Sequence, residues 1–399
     1  MAKELLNISM INTSSKRGGA AQMAKSLSKA INQYLPDFSC TLLHADDARN
    51  EGDVIGISKT GQKAIHAGLA RLHGSFNTYD KGNSEKLLKI SAEAEIVHLH
   101  NLHGYYLNIE HLISGLRGRK VLWTWHDAWP VTGRCAFPST CLEWKRGCPK
   151  CPDLSRYPAA WLDNAAKEHQ IKTRIFLKNE ELKIAVPSGW MKDIAIERGY
   201  PSQRIHVIQN PVELGQSEHI TERHAREKLN LPLDAFITLF VAADCREKRK
   251  GYHDFESAIS GIDGIGLVVG NPPIPRNPKL RYLGTVKDRR KLRDIYSAAT
   301  LFVIPTYADN YPNTVIESLS CGTPVIGYAE GGVPTQLRGM THCETCPTGD
   351  IEQLKARIQN FSSKPALGEA DSQTLAEVAT KRWSLKTVAK KYSEIYRIL

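Results

Sequence analysis

Two carboxylates near the end of the chain have a type and spacing that suit the binding of a polar ligand. Asp309 and Glu317 flank seven residues, after an apolar segment at 301–305 and around a helical pattern that begins near Asn313. Asn at a helix start can cap free N–H groups. Carboxylates accept hydrogen bonds from hydroxyls, and helix N-termini bind phosphate. The pattern favours a ligand with both groups; the alternative is a loop cap and a solvated helix residue.

A basic group follows the apolar segment 236–241. It contains Arg246, Arg249 and Lys250, and Gly251 comes directly after them. Cations at the end of a strand, before a helix, can neutralise a diphosphate. A solvated basic loop is the alternative.

The first half of the chain has two further candidates at predicted strand ends. Gly18 and Gly19 lie between a strand at 5–11 and a helical pattern, where a glycine pair lets the backbone turn tightly and approach a ligand. His126 ends a strand at 121–125, and the neighbouring Asp127 is expected to orient or charge-stabilise its imidazole.

Cysteines are concentrated in one segment. Four of the nine lie within seventeen residues, namely Cys135, Cys141, Cys148 and Cys151. Their spacing, which ends in Cys-x2-Cys, favours a structural zinc site with four thiolate ligands. Disulfides and free buried thiols are the alternatives. His98 and His100 share one face of a predicted strand, and we expect them to form hydrogen bonds rather than to bind metal.

Length and composition limit the class of protein. The 399 residues suggest two domains, and the net charge of +11 suits nucleic acid, phosphorylated ligands or an anionic membrane face. The basic clusters 246–250 and 287–293 lack the interleaved aromatic residues of a strand-binding surface, so we expect no nucleic-acid partner. No apolar run approaches the roughly 20 residues that span a bilayer, and no signal peptide is evident, so we expect a cytoplasmic protein.

The stretch 309–326 resembles the acidic-x7-Glu signature of retaining glycosyltransferases of family 4. This resemblance implies an α/β fold of the GT-B type: two Rossmann-like, doubly wound domains facing an interdomain cleft, with a C-terminal helix that returns to the first domain. The expected limits are 1–212, with a Cys-rich insert at 133–153, then 213–380 for the donor domain and 381–399 for the helix. Residues 50–86 show weak periodicity, and we expect a long, partly mobile excursion there.

The resemblance also assigns roles. It implies that Glu317 holds the nucleotide ribose and that Asp309, where the family usually has Glu, contacts the donor sugar. The donor phosphate would be bound by the helix N–H groups of Asn313, Thr314 and Val315, and by Lys250, which matches the family's Lys-Gly. The family's arginine falls at Asp244, and we infer that Arg246 or Arg249 replaces it.

The first domain carries two more matches. Gly18 and Gly19 match a Gly-Gly-Ala loop that faces the cleft, and His126 matches the histidine at the donor sugar, which makes it the principal catalytic candidate of this domain. The segment 126–154 is similar to a subset of bacterial surface-polysaccharide glycosyltransferases.

The predicted function is a retaining transfer of a hexose from a nucleotide-diphosphate sugar to a growing glycan. A lipid-linked surface-polysaccharide precursor is the expected acceptor, with peripheral contact to the inner membrane face. The sequence contains no Asp-x-Asp, so we expect no catalytic Mg²⁺. The alternatives are a GT-B epimerase or phosphorylase and, from another class, a zinc-knuckle nucleic-acid-binding protein.

Overall fold

The computed structural model describes residues 5–16, 18–58, 61–75, 81–213, 220–273, 277–278, 280–365 and 367–399. The chain forms two compact units. Unit 1 comprises Met1–Gln209 and Val388–Leu399, and unit 2 comprises Asn210–Thr387. The predicted domain limits are close to these units, except that residues 381–387, expected with the C-terminal helix, belong to unit 2. The limits of the independently folding domains stay predictions.

Unit 1 is built on an eight-stranded sheet with the order β3-β4-β2-β1-β5-β6-β7-β8. Its strands are β1 (Leu6–Asn12), β2 (Phe38–His44), β3 (Asn50–Glu51), β4 (Val54–Gly56), β5 (Ile96–Leu99), β6 (Lys120–Thr124), β7 (Lys183–Val186) and β8 (Ile205–Val207). The neighbours are all parallel except β3 and β4. Strand order reverses at β1 and β5, and ligands bind at such switch points in open α/β sheets.

The helices of unit 1 cover the sheet and connect its strands. They are α1 (Gly19–Tyr34), α2 (Gln62–His73), α3 (Lys81–Ile90), α4 (Ile109–Gly115), α5 (Ala165–Leu177) and α6 (Gly189–Glu197). Within the expected excursion at 50–86, the described residues form β3, β4, α2 and part of α3, which the sequence did not predict. Ala70 alone is buried in α2, and the large apolar residues Ile65 and Leu72 are exposed, so the apolar spacing in its sequence does not mark the packed side of this helix.

Unit 2 has a six-stranded, entirely parallel sheet with the order β11-β10-β9-β12-β13-β14. Its strands are β9 (Ile237–Asp244), β10 (Ile265–Asn271), β11 (Leu280–Gly284), β12 (Leu301–Ile304), β13 (Val325–Tyr328) and β14 (Glu344–Cys346). Its helices are α7 (Glu222–Leu229), α8 (Tyr252–Ala258), α9 (Arg289–Ala298), α10 (Asn313–Ser320), α11 (Val333–Leu337), α12 (Ile351–Ser362) and α13 (Glu369–Trp383). The switch point lies between β9 and β12, so the loops that follow these two strands meet there.

The last helix, α14 (Leu385–Tyr396), belongs mostly to unit 1. Val388, Tyr392 and Tyr396 are fully buried. The Tyr396 hydroxyl lies 2.8 Å from His98 Nδ1 on β5, so the helix is fixed to the sheet by polar contacts as well as by packing. The predicted return of the C-terminal helix to the first domain is confirmed. No helix in the described ranges is long and apolar enough to cross a membrane.

Candidate active site

The switch point of unit 2 brings an acid and two cations together. Asp309 follows β12, and Arg249 and Lys250 follow β9. Lys250 Nζ lies 2.6 Å from Asp309 Oδ2, and Arg249 Nη1 lies 3.2 Å from Asp309 Oδ1. Thr306 Oγ1 donates a further hydrogen bond to Oδ2 at 3.1 Å. Burial raises the pKa of Asp309, but Lys250 and Arg249 outweigh that effect, and the net pKa is lowered, so the carboxylate is held ionised.

Two glycines allow these loops to approach each other. Gly251 has a φ of 72°, and a Cβ there would collide with the carbonyl oxygen of Pro305, directly after β12. Gly331 has a φ of 56°, and a Cβ there would collide with the carbonyl oxygen of Asp309. The β9 and β13 loops therefore close on the Asp309 loop only because both positions lack a side chain.

The three predicted cations after β9 do not act as one group. Arg246 makes a two-point contact with Asp244, Nε to Oδ1 at 2.8 Å and Nη2 to Oδ2 at 2.6 Å, and its side chain is 56% exposed. Arg249, whose side chain is 20% exposed, lies with Lys250 at Asp309. Of the two arginines considered as replacements, the structure places Arg249 beside the predicted site and turns Arg246 toward Asp244.

Glu317, in the second turn of α10, has two partners that sequence reasoning missed. Arg289 Nη1 lies 3.3 Å from its Oε1, and the Tyr296 hydroxyl donates to its Oε2 at 3.2 Å. Burial is the main influence on its carboxyl group and raises its pKa. Arg289 belongs to the basic cluster 287–293. Its contact with Glu317 becomes visible only when α9 is packed against α10.

The start of α10 differs in detail from expectation. Pro312 is the N-cap residue and makes no side-chain capping bond, so the prediction that Asn313 caps the helix is wrong. The Asn313 side chain instead accepts a hydrogen bond from Asn210 Nδ2 at 2.9 Å. The Val315 N–H is bonded to the Pro312 carbonyl at 3.2 Å. Thr314, between them, is partly exposed.

In unit 1, His126 is part of a buried row of histidines. His126 Nε2 lies 2.8 Å from His100 Nδ1, and the two rings are stacked with centroids 5.1 Å apart. The His100 ring lies 4.2 Å from the His98 ring, whose Nε2 is 2.8 Å from Thr124 Oγ1. Burial lowers the pKa of His126 to about 4, which keeps the imidazole neutral near pH 7.

Asp127 has hydrogen-bond partners that sequence reasoning missed. Its Oδ2 lies 2.9 Å from His103 Nε2, and its Oδ1 accepts the Trp129 N–H at 3.0 Å. Asp127 also acts on His126 through its charge, which raises the pKa of His126 against the larger effect of burial. Its expected role in orienting or charge-stabilising that imidazole stays a prediction. Gly18 and Gly19 lie at the predicted place: Gly18 is the N-cap of α1, and a Cβ on it would meet no atom within 4 Å among the described residues.

The zinc prediction for Cys135, Cys141, Cys148 and Cys151 is not supported. Within the described ranges, which include all four, no group of three or more His, Cys, Asp or Glu side chains could hold a metal ion, and all four thiols are free. The Cys148 sulfur accepts the Gly133 N–H at 3.1 Å. The buried Arg134 guanidinium lies 3.7 Å from the Cys151 sulfur and donates to the Asp153 and Leu154 carbonyls at 3.2 and 3.1 Å. A buried cation therefore ties this loop together.

Comparisons with solved structures agree with this architecture. Sucrose-phosphate synthase from Thermosynechococcus elongatus is similar with a TM-score of 0.71 at 16% identity, over 98% of both chains. HepE from Anabaena, in complex with UDP-glucose, is similar with a TM-score of 0.67 at 12% identity, over 99% of this chain and all of that one. Two parallel-sheet α/β units with these neighbours define the GT-B fold of glycosyltransferases.

Sequence comparisons give the family. The model described as "Glycosyl transferases group 1" matches residues 236–364, and "Glycosyltransferase Family 4" matches residues 17–216, half of the chain. The chain therefore belongs to glycosyltransferase family 4. It is also 28% identical, over 99% of its length and the whole of the relative, to WcaC of Escherichia coli (strain K12), whose name describes a colanic acid biosynthesis glycosyl transferase.

Proposed function

We propose that this protein is a retaining glycosyltransferase that transfers a hexose from a nucleotide-diphosphate sugar to a growing surface polysaccharide. The observation that carries the proposal is the ion pair of Lys250 and Asp309 at the switch point of unit 2, with Glu317 in the second turn of the helix that follows Asp309. A cation for phosphate and two acceptors for hydroxyls are the groups that a nucleotide sugar requires.

The donor diphosphate would be bound by Lys250, with Arg249 beside it and the N-terminus of α10 contributing N–H groups. Glu317 would accept hydrogen bonds from the ribose hydroxyls, and Asp309 from the sugar. The complex of HepE with UDP-glucose supports a donor of this class. Since Lys250 already contacts Asp309, a phosphate that enters the site would share the lysine rather than recruit it from solvent.

In the reaction, the bond between the anomeric carbon and the phosphate oxygen breaks, and a bond to the acceptor oxygen forms on the same face of the sugar. Negative charge grows on the departing oxygen, where a prepositioned cation is worth about 3 kcal/mol, roughly a hundredfold in rate. The leaving phosphate would take the acceptor proton, as in retaining relatives. His126, which is neutral, would contact the sugar by a hydrogen bond.

The acceptor is proposed to be a lipid-linked glycan at the inner face of the cytoplasmic membrane. The similarity to WcaC over the whole chain supports a role in surface-polysaccharide synthesis.

The proposal is tested by incubating the purified protein with labelled nucleotide sugars and lipid extract, and by measuring label in the lipid fraction and the anomeric configuration of the product. We expect transfer with retention, and its loss in Lys250→Met. Conversion of the free donor without acceptor would identify an epimerase, dependence on inorganic phosphate would identify a phosphorylase, and an inverted product would contradict the mechanism.

A further inference from the structure

A buried carboxylate that has no part in the proposed contacts with the donor lies beside the switch point of unit 2. It belongs to Asp254, in the first turn of α8. Its Oδ2 accepts a hydrogen bond from the Tyr307 hydroxyl and another from the Tyr328 hydroxyl, both at 2.6 Å. This length is typical of a hydrogen bond from a hydroxyl to an ionised oxygen, which is stronger than one between neutral groups. The carboxylate therefore joins α8 to two other parts of the unit.

Tyr307 belongs to the loop that carries Asp309. This loop follows β12 and comprises residues 305–309, and we call it the Asp309 loop. Burial and the hydrogen bond to Asp254 raise the pKa of Tyr307 to about 12, so the hydroxyl keeps its proton and donates. The Tyr307 ring packs edge-on against the Tyr328 ring, with the centroids 5.6 Å apart. The side chain is thus held both by its ring and by its hydroxyl.

Further contacts tie the Asp309 loop to the loop after β9. The Tyr307 N–H donates to the Arg249 carbonyl at 2.7 Å, and Thr306 Oγ1 lies 3.0 Å from the same carbonyl oxygen. Thr306 Oγ1 also lies 3.1 Å from Asp309 Oδ2, which is the oxygen that Lys250 Nζ contacts. A shift of Tyr307 would therefore displace the neighbours that set the direction of the Asp309 carboxylate.

We propose that Asp254 is a positioning residue of the donor site. By holding the Tyr307 hydroxyl, it fixes the Asp309 loop so that the Asp309 carboxylate points at Lys250. Asp254 does not touch the donor itself and acts through Tyr307. The inference rests on the proposed function, because Asp309 is assigned there to the donor sugar. Groups that are fixed before the substrate binds need no reorganisation during the reaction, and a displacement of about 1 Å can cost roughly a hundredfold in rate.

A purely stabilising role of Asp254 is the alternative, and Tyr328 separates the two roles. The Tyr328 hydroxyl contacts the same oxygen at the same distance, but Tyr328 lies on β13 and not on the Asp309 loop. Tyr307→Phe and Tyr328→Phe therefore remove matched hydrogen bonds and keep both rings. A stabilising role predicts lower unfolding midpoints and unchanged transfer in both variants, whereas a positioning role predicts a loss of transfer in Tyr307→Phe alone.

The test is the transfer of labelled sugar by the full chain, at saturating donor and below the unfolding midpoint of every variant. We expect Tyr307→Phe to lower kcat about tenfold or more and Tyr328→Phe to change it less than about twofold. Asp254→Ala should resemble Tyr307→Phe, and Asp254→Asn, which keeps an oxygen acceptor, should restore most of the lost rate. If Tyr328→Phe does not fold, Tyr252→Phe is the control, because Tyr252 on α8 has its hydroxyl 2.5 Å from that of Tyr282.

The decisive readout is whether the loss of rate depends on Asp309. In an Asp309→Ala background, Tyr307→Phe should change kcat by less than about twofold, because the side chain that it positions is absent and the effects of coupled residues do not add. A full additional loss in this background would overturn the inference. So would unchanged transfer by Tyr307→Phe, or an equal loss of kcat in the control variant. Absence of transfer by the wild type would overturn the proposed function and this inference together, whereas those three results in a protein that transfers sugar would overturn the inference alone.

Discussion

Lys250 Nζ lies 2.6 Å from Asp309 Oδ2 and joins the loop after β9 to the loop after β12. The two side chains are 22% and 13% exposed, so the pair is partly desolvated but still open to a ligand. Because burial strengthens the attraction of opposite charges, each side chain fixes the other in place before a donor arrives. The contact makes the cation and the carboxylate one functional unit, and substitution of either affects both.

Lys250→Met should lower the rate of sugar transfer by about a hundredfold, since one prepositioned charge on the leaving group is worth about 3 kcal/mol. The comparison is the kcat of wild type and variant at saturating donor. Lys248→Met is the matched control, because Lys248 lies in the same turn but its side chain is exposed. Equal losses in both variants would mean that the loop, rather than the Lys250 ammonium, is responsible.

Arg249 and Arg246 should differ in importance although they are three residues apart. Arg249→Ala removes one of the two cations at Asp309, and we expect donor affinity to fall about tenfold or more. Arg246→Ala removes an exposed partner of Asp244, and we expect less than a threefold change. Calorimetric titration with a nucleotide sugar that binds the wild type measures the donor affinity of both variants. A larger loss of affinity in Arg246→Ala would show that this arginine leaves Asp244 to reach the ligand.

Donor affinity should weaken on acidification at a pH above the ordinary range of a glutamate. The pKa of Glu317 is raised by burial, so this carboxylate takes up its proton at a higher pH than an exposed glutamate does, and the protonated form accepts fewer hydrogen bonds from ribose. Affinity is therefore full above the raised pKa and lost as the pH falls through it. Glu317→Gln should bind weakly at every pH.

Glu213 provides the control for this titration. Its charge contributes to the raised pKa of Glu317, so Glu213→Gln should move the acid limb of the affinity profile to lower pH. If the acid limb of the affinity profile does not move in Glu213→Gln, or if it persists in Glu317→Gln, the titration belongs to another group.

Unit 1 should lose stability below pH 6.5 because of its buried histidines. Burial lowers the pKa of His98 to about 3. Between pH 6.5 and 3 the unfolded chain therefore binds a proton that the folded chain does not, and the free energy of unfolding decreases as the pH is lowered. Between pH 7 and pH 5 this amounts to about 2 kcal/mol for one histidine. Urea unfolding at both values measures it.

His98→Gln should have a smaller difference in unfolding free energy between pH 7 and pH 5 than the wild type. His253→Gln is the control, since that side chain is 81% exposed. If His98→Gln and the wild type have the same pH dependence, the buried row of histidines does not account for the acid sensitivity.

Features carried by local sequence could be predicted, and features that depend on tertiary contacts could not. The apolar strands and the polar residues that follow them are encoded by short patterns, and the return of α14 was implied by the family resemblance. The placement of Lys250 and Asp309 at one edge of the sheet follows from the general rule that ligands bind where strand order reverses, but their direct ion pair was not predicted.

The missed features each needed a neighbour from a distant part of the chain. Arg289 contacts Glu317 because α9 and α10 pack together, and Asp127 contacts His103 because the loop after β5 passes beside it. The cysteine spacing suited zinc, but the guanidinium of Arg134 lies beside Cys151. The spacing of residues shows which side chains could bind a metal, but not which other groups lie next to those side chains in the folded chain.

The most direct test of the account is a thermal-shift screen of UDP-, GDP- and dTDP-sugars on the wild type and on Glu317→Ala. The central claim is that a nucleotide sugar binds unit 2 at Lys250, Asp309 and Glu317, and it predicts stabilisation of the wild type by at least one donor and loss of that stabilisation in Glu317→Ala. No stabilisation by any of the sugars, or an equal shift in Glu317→Ala, would contradict it.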